Sequence, residues 1–268
     1  YDRTVSFRRG AREAPRSIRV SSWNFESYNM KTGVDFREIP VHDYGDLPVS
    51  NDDSPREMVK TVKEFSTKLV EEGKTPIGIG GEHTVSVGII SSLPRDIMVI
   101  SFDAHLDFRD EYQSENYSHA CVIRRLSEYV SPRNIIVVGV RSAERNELLK
   151  AEEEGLEYYD AFSFIRDKRG VMREIKKRIG DKSIYLTLDI DVIDPSYAPG
   201  TGTPEPFGLQ PIDVLSCIEE LSPRIIGFDL VEVCPPFDHG ETSILAARLI
   251  RSTIEMIWLR RIKDKGLG

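Results

Sequence analysis

Five short stretches are apolar at almost every position: residues 75–79, 97–102, 134–140, 184–190 and 225–233. A strand with one wet face alternates apolar and polar side chains, whereas a strand covered on both faces does not. These stretches therefore predict strands of a buried, parallel sheet. Between them the spacing changes to three or four. In residues 55–74 the apolar positions Met58, Val62, Phe65, Leu69 and Val70 fall on one helical face. Pro55 suits a first turn after Ser54, and Gly73 suits a stop. Further helices are predicted over 119–130, 144–154, 170–179, 211–221 and 241–259. Strand alternating with helix predicts an α/β fold. No internal repeat, low-complexity tract or linker interrupts the pattern. Residues 194–206, rich in Pro, Gly and Thr, follow a strand directly and read as a loop. Residues 1–268 are expected to form one domain.

The charge balance narrows the possible partners. Lys and Arg number 36 against 44 Asp and Glu, a net charge of -8. An acidic chain without a basic run is a poor ligand for nucleic acid or an anionic membrane. No apolar run approaches the roughly 20 residues that span a bilayer. Cys121, Cys217 and Cys234 are far apart, odd in number and form no C-x-x-C pair. That argues against a disulfide scaffold or a cysteine zinc site and fits a reducing cytoplasm. No signal or transit segment is visible. A start at Tyr1 rather than Met suggests that a short native N-terminal segment is missing.

Three clusters of chemistry-bearing residues follow three of the strands. Asp103-Ala104-His105-Leu106-Asp107 comes directly after 97–102. In extended chain, Asp103, His105 and Asp107 point the same way. Two carboxylates and an imidazole at a strand end suit a divalent metal, and the mixed oxygen and nitrogen set favours Mn, Zn, Fe or Co over Ca. Asp189-Ile190-Asp191 and Asp194-Pro195 end the next such strand. Parallel strands end on a common edge, so the two acidic groups would meet there and need a cation. Gly80-Gly81-Glu82-His83-Thr84 adds His83 at a third strand-to-helix turn on that edge. The plain alternative for each is a solvated acidic loop or an Asp cap, and spacing alone does not choose.

Together these motifs resemble the ureohydrolase family, which contains arginases, agmatinases and related guanidino hydrolases. The resemblance lies in Gly80-Gly81-Glu82-His83, Ser101-Phe102-Asp103-Ala104-His105-Leu106-Asp107 and Leu188-Asp189-Ile190-Asp191-Val192-Ile193-Asp194-Pro195. It extends to Tyr1-Asp2-Arg3-Thr4-Val5-Ser6-Phe7-Arg8 and to Val231-Glu232-Val233-Cys234-Pro235-Pro236-Phe237-Asp238. The resemblance implies a three-layer α/β/α sandwich with a mainly parallel central sheet and two Mn²⁺ per chain at its C-terminal edge. By motif, one metal would take His83, Asp103, Asp107 and Asp189. The other would take His105, Asp103, Asp189 and Asp191, with Asp103 and Asp189 bridging. His119, in Tyr117-Ser118-His119-Ala120-Cys121, matches a mobile acid/base histidine at the mouth of the family site, although Ala120 stands where Gly is common. Glu232 matches the carboxylate that pairs with the substrate guanidinium. Without the resemblance, His119 reads as an exposed helix-start residue and Glu232 as a surface ion-pair partner. His42 and His239 fit no metal pattern, and Cys121 reads as a small packed residue.

The chemistry implied is hydrolysis of a guanidino compound to urea and an amine. Metal coordination lowers the pKa of water toward about 7, Glu232 would hold the planar cation by paired hydrogen bonds, and Asp107 would pass a proton to the leaving amine. The stretch 108–118 is similar to the agmatinase branch. Its acids Asp110, Glu111 and Glu115 favour a cationic tail without a carboxylate, so agmatine, giving putrescine, is the expected substrate. Arg109 is the counter-indication, since it suits a carboxylate such as that of guanidinobutyrate. The alternatives are another guanidino hydrolase (guanidinobutyrase, arginase or formimidoylglutamase type), an inactive metal-binding homologue, and a metal-dependent deacylase. The family also implies a homo-oligomer, a trimer or hexamer.

Overall fold

The apolar stretches become the strands of one sheet. In the computed structural model, which describes residues 1–264, these are β1 (Ile77–Ile79), β2 (Met98–Phe102), β3 (Ile135–Val140), β4 (Glu157–Asp160), β5 (Ile184–Asp189) and β6 (Ile225–Val231). All pairings are parallel, in the order β1-β6-β5-β2-β3-β4. β2, β3 and β5 are buried at every position, which is why their sequences do not alternate. β4 was not among the predicted strands. Its Glu157-Tyr158-Tyr159-Asp160 forms a half-exposed edge with no apolar run to announce it. β1, the other edge, is shorter than the predicted 75–79.

Helices cover both faces and make the α/β/α sandwich. They are α1 (Ala14–Ser22), α2 (Pro55–Glu71), α3 (Val85–Ile90), α4 (Val122–Leu126), α5 (Arg145–Glu154), α6 (Ala161–Arg166), α7 (Lys168–Ile179), α8 (Pro211–Leu221) and α9 (Glu241–Asp264). α1 and α6 to α9 pack on the face carrying Ile100, Phe102, Leu186 and Leu188. α2 to α5 pack on the face carrying Val99, Val137, Tyr185 and Val231. α2 begins with a capping box between Ser54 and Glu57, and Gly73 at φ 70 closes it by donating to the Val70 carbonyl. The helix predicted over 119–130 is shorter. His119–Cys121 is a 3₁₀ turn and α4 ends at Leu126. α9 buries Leu249 and Ile257 in the core and leaves Ile244 half exposed, so its surplus of apolar residues is mostly internal. The end of the predicted domain, 265–268, lies outside the described residues. Among the described residues no helix is long and apolar enough to cross a membrane.

The connections set the position of the site. From β2 the chain moves outward to β3, and from β5 it moves the opposite way to β6. The carboxyl ends of β2 and β5 therefore flank the point where the sheet order reverses, where open α/β sheets form a crevice.

Candidate metal and substrate site

Three acidic residues at this crevice, Asp103, Asp189 and Asp191, are each held by a backbone amide. The Asp103 Oδ1 accepts from the His105 amide at 2.7 Å, Asp189 Oδ1 from the Asp191 amide at 2.9 Å, and Asp191 Oδ1 from the Ala104 amide at 3.0 Å. One oxygen of each carboxylate is thus committed and the other, Oδ2, is left free. The bond from Ala104 to Asp191 also ties the loop after β2 to the loop after β5. His83 Nδ1 faces these oxygens, 3.1 Å from Asp103 Oδ2, 3.4 Å from Asp189 Oδ2 and 3.8 Å from Asp107 Oδ2. His105 Nδ1 lies 2.9 Å from Asp191 Oδ2 and 3.7 Å from Asp103 Oδ1. Two groups result, His83-Asp103-Asp189 and Asp103-His105-Asp191, each with its ligand atoms within 4.8 Å of one another. Asp103 is common to both. Asp107 borders them with a left-handed backbone, φ 49, which Asp tolerates better than most side chains.

A buried relay fixes the tautomer of His83. Its Nε2 lies 2.9 Å from Thr187 Oγ1, and Thr187 donates to Asp229 Oδ1 at 2.6 Å, while Tyr185 donates to the other Asp229 oxygen. With its hydrogen given to Asp229, the Thr187 oxygen accepts the Nε2–H. Nδ1 then carries the lone pair and points at the carboxylates, as a metal-binding imidazole requires.

The electrostatics ask for a cation. Burial first, then neighbouring carboxylates, push Asp107 and Asp189 well above the usual carboxylate range. Asp103 goes the other way, to about 2: burial opposes the shift, but hydrogen bonds to His105 and His83 outweigh it. Burial opposes a rise in His83 and is outweighed by Asp103. His83 Nδ1, Asp103 Oδ2 and Asp191 Oδ2 are buried without any hydrogen-bond partner. Unsatisfied buried polar atoms are rare and costly, and these three, divided between two adjoining groups that share Asp103, in a mixed oxygen and nitrogen set, fit one or more divalent ions.

Above this floor opens a cavity of about 190 Å³, lined among others by Ser6, His105, Asp107, Arg109, Tyr112, His119, Ser142, Glu147 and Glu232. Glu232 has a left-handed backbone, φ 62. Its Oε1 accepts from the His83 amide at 2.7 Å, and Oε2 faces Gly202, which has no side chain to crowd it. Burial and then the charge of Glu82 push Glu232 up to about 8. His119 is pulled down to about 4, by burial and then by His105. His42 and His239 are exposed and stand apart from the cavity.

The outer wall differs from the sequence expectation. Asp110, Glu111 and Glu115 do not line the cavity. Asp110 pairs with Arg124 and Lys150, and Glu115 accepts from the Tyr117 amide. Arg109 is held by Glu147 at 3.1 Å and Glu144 at 3.6 Å and lies over the Tyr112 ring. Its charge is already answered within the chain, so it is not waiting for a carboxylate. Glu147 is the acid that reaches the cavity wall, and sequence reasoning missed it because nothing marks a helix-start Glu as inward-facing.

Comparison with known proteins agrees with this geometry. The model of the arginase family matches residues 1–255. The agmatinase of Bacillus subtilis (strain 168) is 34% identical over 260 residues, covering 94% of this chain and 88% of that protein. The N(1)-aminopropylagmatine ureohydrolase of Thermococcus kodakarensis is 36% identical over 254 residues, covering 93% and 85%. The solved agmatine ureohydrolase of Thermoplasma volcanium superposes with a TM-score of 0.90 at 37% identity, covering 97% of this chain and 88% of that one.

Proposed function

This chain belongs to the arginase family, and we propose that it hydrolyses agmatine to putrescine and urea. The observation that carries the reading is the pair of adjoining ligand groups joined at Asp103, in which His83 Nδ1, Asp103 Oδ2 and Asp191 Oδ2 are buried and unpartnered, at a cavity that also holds Glu232. His83, Asp103, Asp107 and Asp189 would hold one Mn²⁺, and His105, Asp103, Asp189 and Asp191 a second. Bound there, the pair would supply a nucleophile from water and stabilise the charge that builds on the guanidinium carbon's substituents.

The chain's own residues do the rest. A guanidinium placed at Glu232 Oε2 meets a carboxyl that burial and Glu82 hold at about 8. The incoming cation favours the ionised form, so substrate binding and Glu232 ionisation support each other. The same contact fixes the plane of the guanidinium over the floor. Asp107, raised well above the usual range, is suited to carry a proton at its Oδ2 to the departing amine. His119, held neutral down to about 4, accepts a proton at the cavity mouth and returns it. Arg109, already paired to Glu147, leaves no unpaired Lys or Arg among the described residues of the cavity wall to bind a substrate carboxylate.

Urea release with added Mn²⁺ tests the reading. Agmatine should be turned over faster than arginine, guanidinobutyrate or N1-aminopropylagmatine. Faster release from arginine would overturn the substrate assignment and leave the hydrolase class standing. No urea from any of them, with metal bound, would favour an inactive homologue. The same reading includes a homo-oligomer, a trimer or hexamer, working in the cytoplasm without nucleic acid or membrane partners. Light scattering that gives a monomer near 30.4 kDa would remove the oligomer.

A further inference from the structure

His119 is held less by its own loop than by the first residues of the chain. Residues 1–10 form a strap across the turn after β1. The Glu82 amide donates to the Tyr1 carbonyl at 2.8 Å. The strap lies so close that a Cβ on Gly81 would sit 2.0 Å from the Tyr1 oxygen, so only glycine permits it there. Asp2 fastens the strap's other end, accepting from the Gly10 amide at 2.9 Å. Between these anchors, the fully buried Glu82 takes two bonds from one residue. The Thr4 amide donates to Oε2 at 2.7 Å and the Thr4 hydroxyl to Oε1 at 2.7 Å.

The hydroxyl's remaining capacity goes to His119. Thr4 Oγ1 accepts from the His119 backbone amide at 3.0 Å and lies 3.3 Å from the ring Nδ1. Ser6 Oγ lies 3.3 Å from Nε2, on the cavity side. With its hydrogen on the Glu82 carboxylate, the Thr4 oxygen has only lone pairs left, so it takes an Nδ1–H. Nε2 is then the basic nitrogen, beside Ser6 and open to the cavity.

We infer that Thr4 is a positioning residue for His119: locked by Glu82, its hydroxyl sets the orientation and tautomer of the imidazole, with Ser6 steadying the second nitrogen. This rests on the proton-transfer role of His119 proposed above. The loop that carries His119 has two consecutive left-handed residues, Gln113 at φ 50 and Ser114 at φ 62, and a Tyr112 ring packed edge-on at 6.1 Å. None of these reaches a ring nitrogen. Within the loop Ser118 Oγ lies 3.4 Å from Nδ1, but it already accepts from the Ala120 amide; the strap hydroxyls, at 3.3 Å, reach both ring nitrogens.

The test compares Thr4→Val, Thr4→Ser, His119→Ala and the pair Thr4→Val/His119→Ala in Mn-loaded enzyme near pH 9, with urea release and bound metal as readouts. Thr4→Val keeps the branched shape and removes the hydroxyl. It should lower kcat roughly tenfold, the worth of one well-placed hydrogen bond, with KM within about twofold and metal content unchanged. Thr4→Ser should restore most of the rate. In the His119→Ala background, Thr4→Val should cost nothing further. Equal losses in both backgrounds, or full activity of Thr4→Val beside a slow His119→Ala, would overturn the inference and leave the proposed function intact. Wild-type rates in His119→Ala would instead remove the role on which it depends, overturning it from below. If Thr4→Val does not fold, Ser6→Ala on the exposed part of the strap takes its place: a loss of roughly threefold, absent in the His119→Ala background, supports the inference, and an equal loss in both backgrounds overturns it.

Discussion

Two regions of this molecule bury charge, and they do so in opposite ways. Within α9, Arg251 and Glu255 lie in the interior, 8% and 1% exposed. Arg251 donates to Glu255 at 3.2 Å and to the Ser27 carbonyl, and lies over the Phe36 ring at 4.8 Å, while Asn29 donates to the second Glu255 oxygen. Every charge there has its complement in the chain. At the carboxyl ends of β2 and β5, Asp103, Asp189 and Asp191 are equally buried, but among the described residues their ion-pair partners are the imidazoles of His83 and His105 and no Lys or Arg. The neighbouring guanidinium of Arg141 donates instead to the carbonyls of Gly139, Asp191, Val192 and Glu205. A closed set of charges is architecture, whereas an open set is a binding site whose missing partner comes from solution.

The sharpest way to break that contrast is Asp189→Asn. The amide keeps the oxygen that accepts from Asp191 and removes a charge pressed by Asp191, Asp103 and Glu232. Activity should fall by more than about 100-fold, since metal assistance is worth several kcal/mol. The thermal midpoint of the metal-stripped protein should rise. A fall in that midpoint would mean the cluster is not electrostatically frustrated. Glu255→Ala should do the reverse. Leaving Arg251 buried and unpaired costs about 3–5 kcal/mol, read by urea unfolding, with the same loss whether or not Mn²⁺ is present. Glu232→Gln keeps the shape and removes the charge, so kcat/KM for agmatine should drop at least about tenfold with metal content unchanged. Unchanged kinetics would take the guanidinium away from Glu232.

The smallest effect expected is a pH slope in the metal-stripped protein. Asp107, Asp189 and Glu232 have raised carboxyl pKa values in the folded state, Glu232 at about 8. Between the ordinary carboxylate range and these values the folded chain holds more protons than the unfolded one, so stability falls as pH rises. His119, lowered to about 4, has the opposite sign, because its unfolded form gains a proton below about 6.5. The His119 contribution is therefore absent from about pH 6.5 to 8, where the raised His83, His105 and Glu82 act in the same direction as the raised carboxyls. Calorimetry after chelation should show a declining midpoint there, and Mn²⁺ should flatten it. A midpoint that climbs through this window without metal would contradict the open-charge reading.

Much of the site could be read from the chain because ligand-type residues sit at the end of, or within three positions beyond, strands that their own apolar runs reveal. Asp103, His105, Asp189 and Asp191 need only local backbone geometry to face one another across a parallel edge. What could not be read depends on long-range packing. Asp110 looks like a free acid in sequence, yet Arg124 and Lys150 take it away from the cavity. Glu147 looks like a surface residue of α5, but its carboxylate is fastened to the Phe108 amide, which turns it inward. β4 is legible only as a partner of β3, since none of its four residues is buried. The link from Thr4 to Glu82 spans 78 residues and that from Thr4 to His119 spans 115, separations at which no periodicity speaks.

The strand order also carries a schedule. β6 is made last, yet it sits between β1 and β5 and is the sole neighbour of β1. A growing chain can pair β2 with β3, β3 with β4 and β2 with β5 as they emerge, but β1 must wait, unpaired, until Val231 has been synthesised. Exposed strand edges invite association with other chains, and long-range parallel pairing is slow. His83 rides on the loop leaving β1, so it joins the other ligands only when the last strand slots in. A chain stalled before β6 would carry the Asp103-His105-Asp191 group and lack the His83 group, so early metal capture on the ribosome would engage half a site.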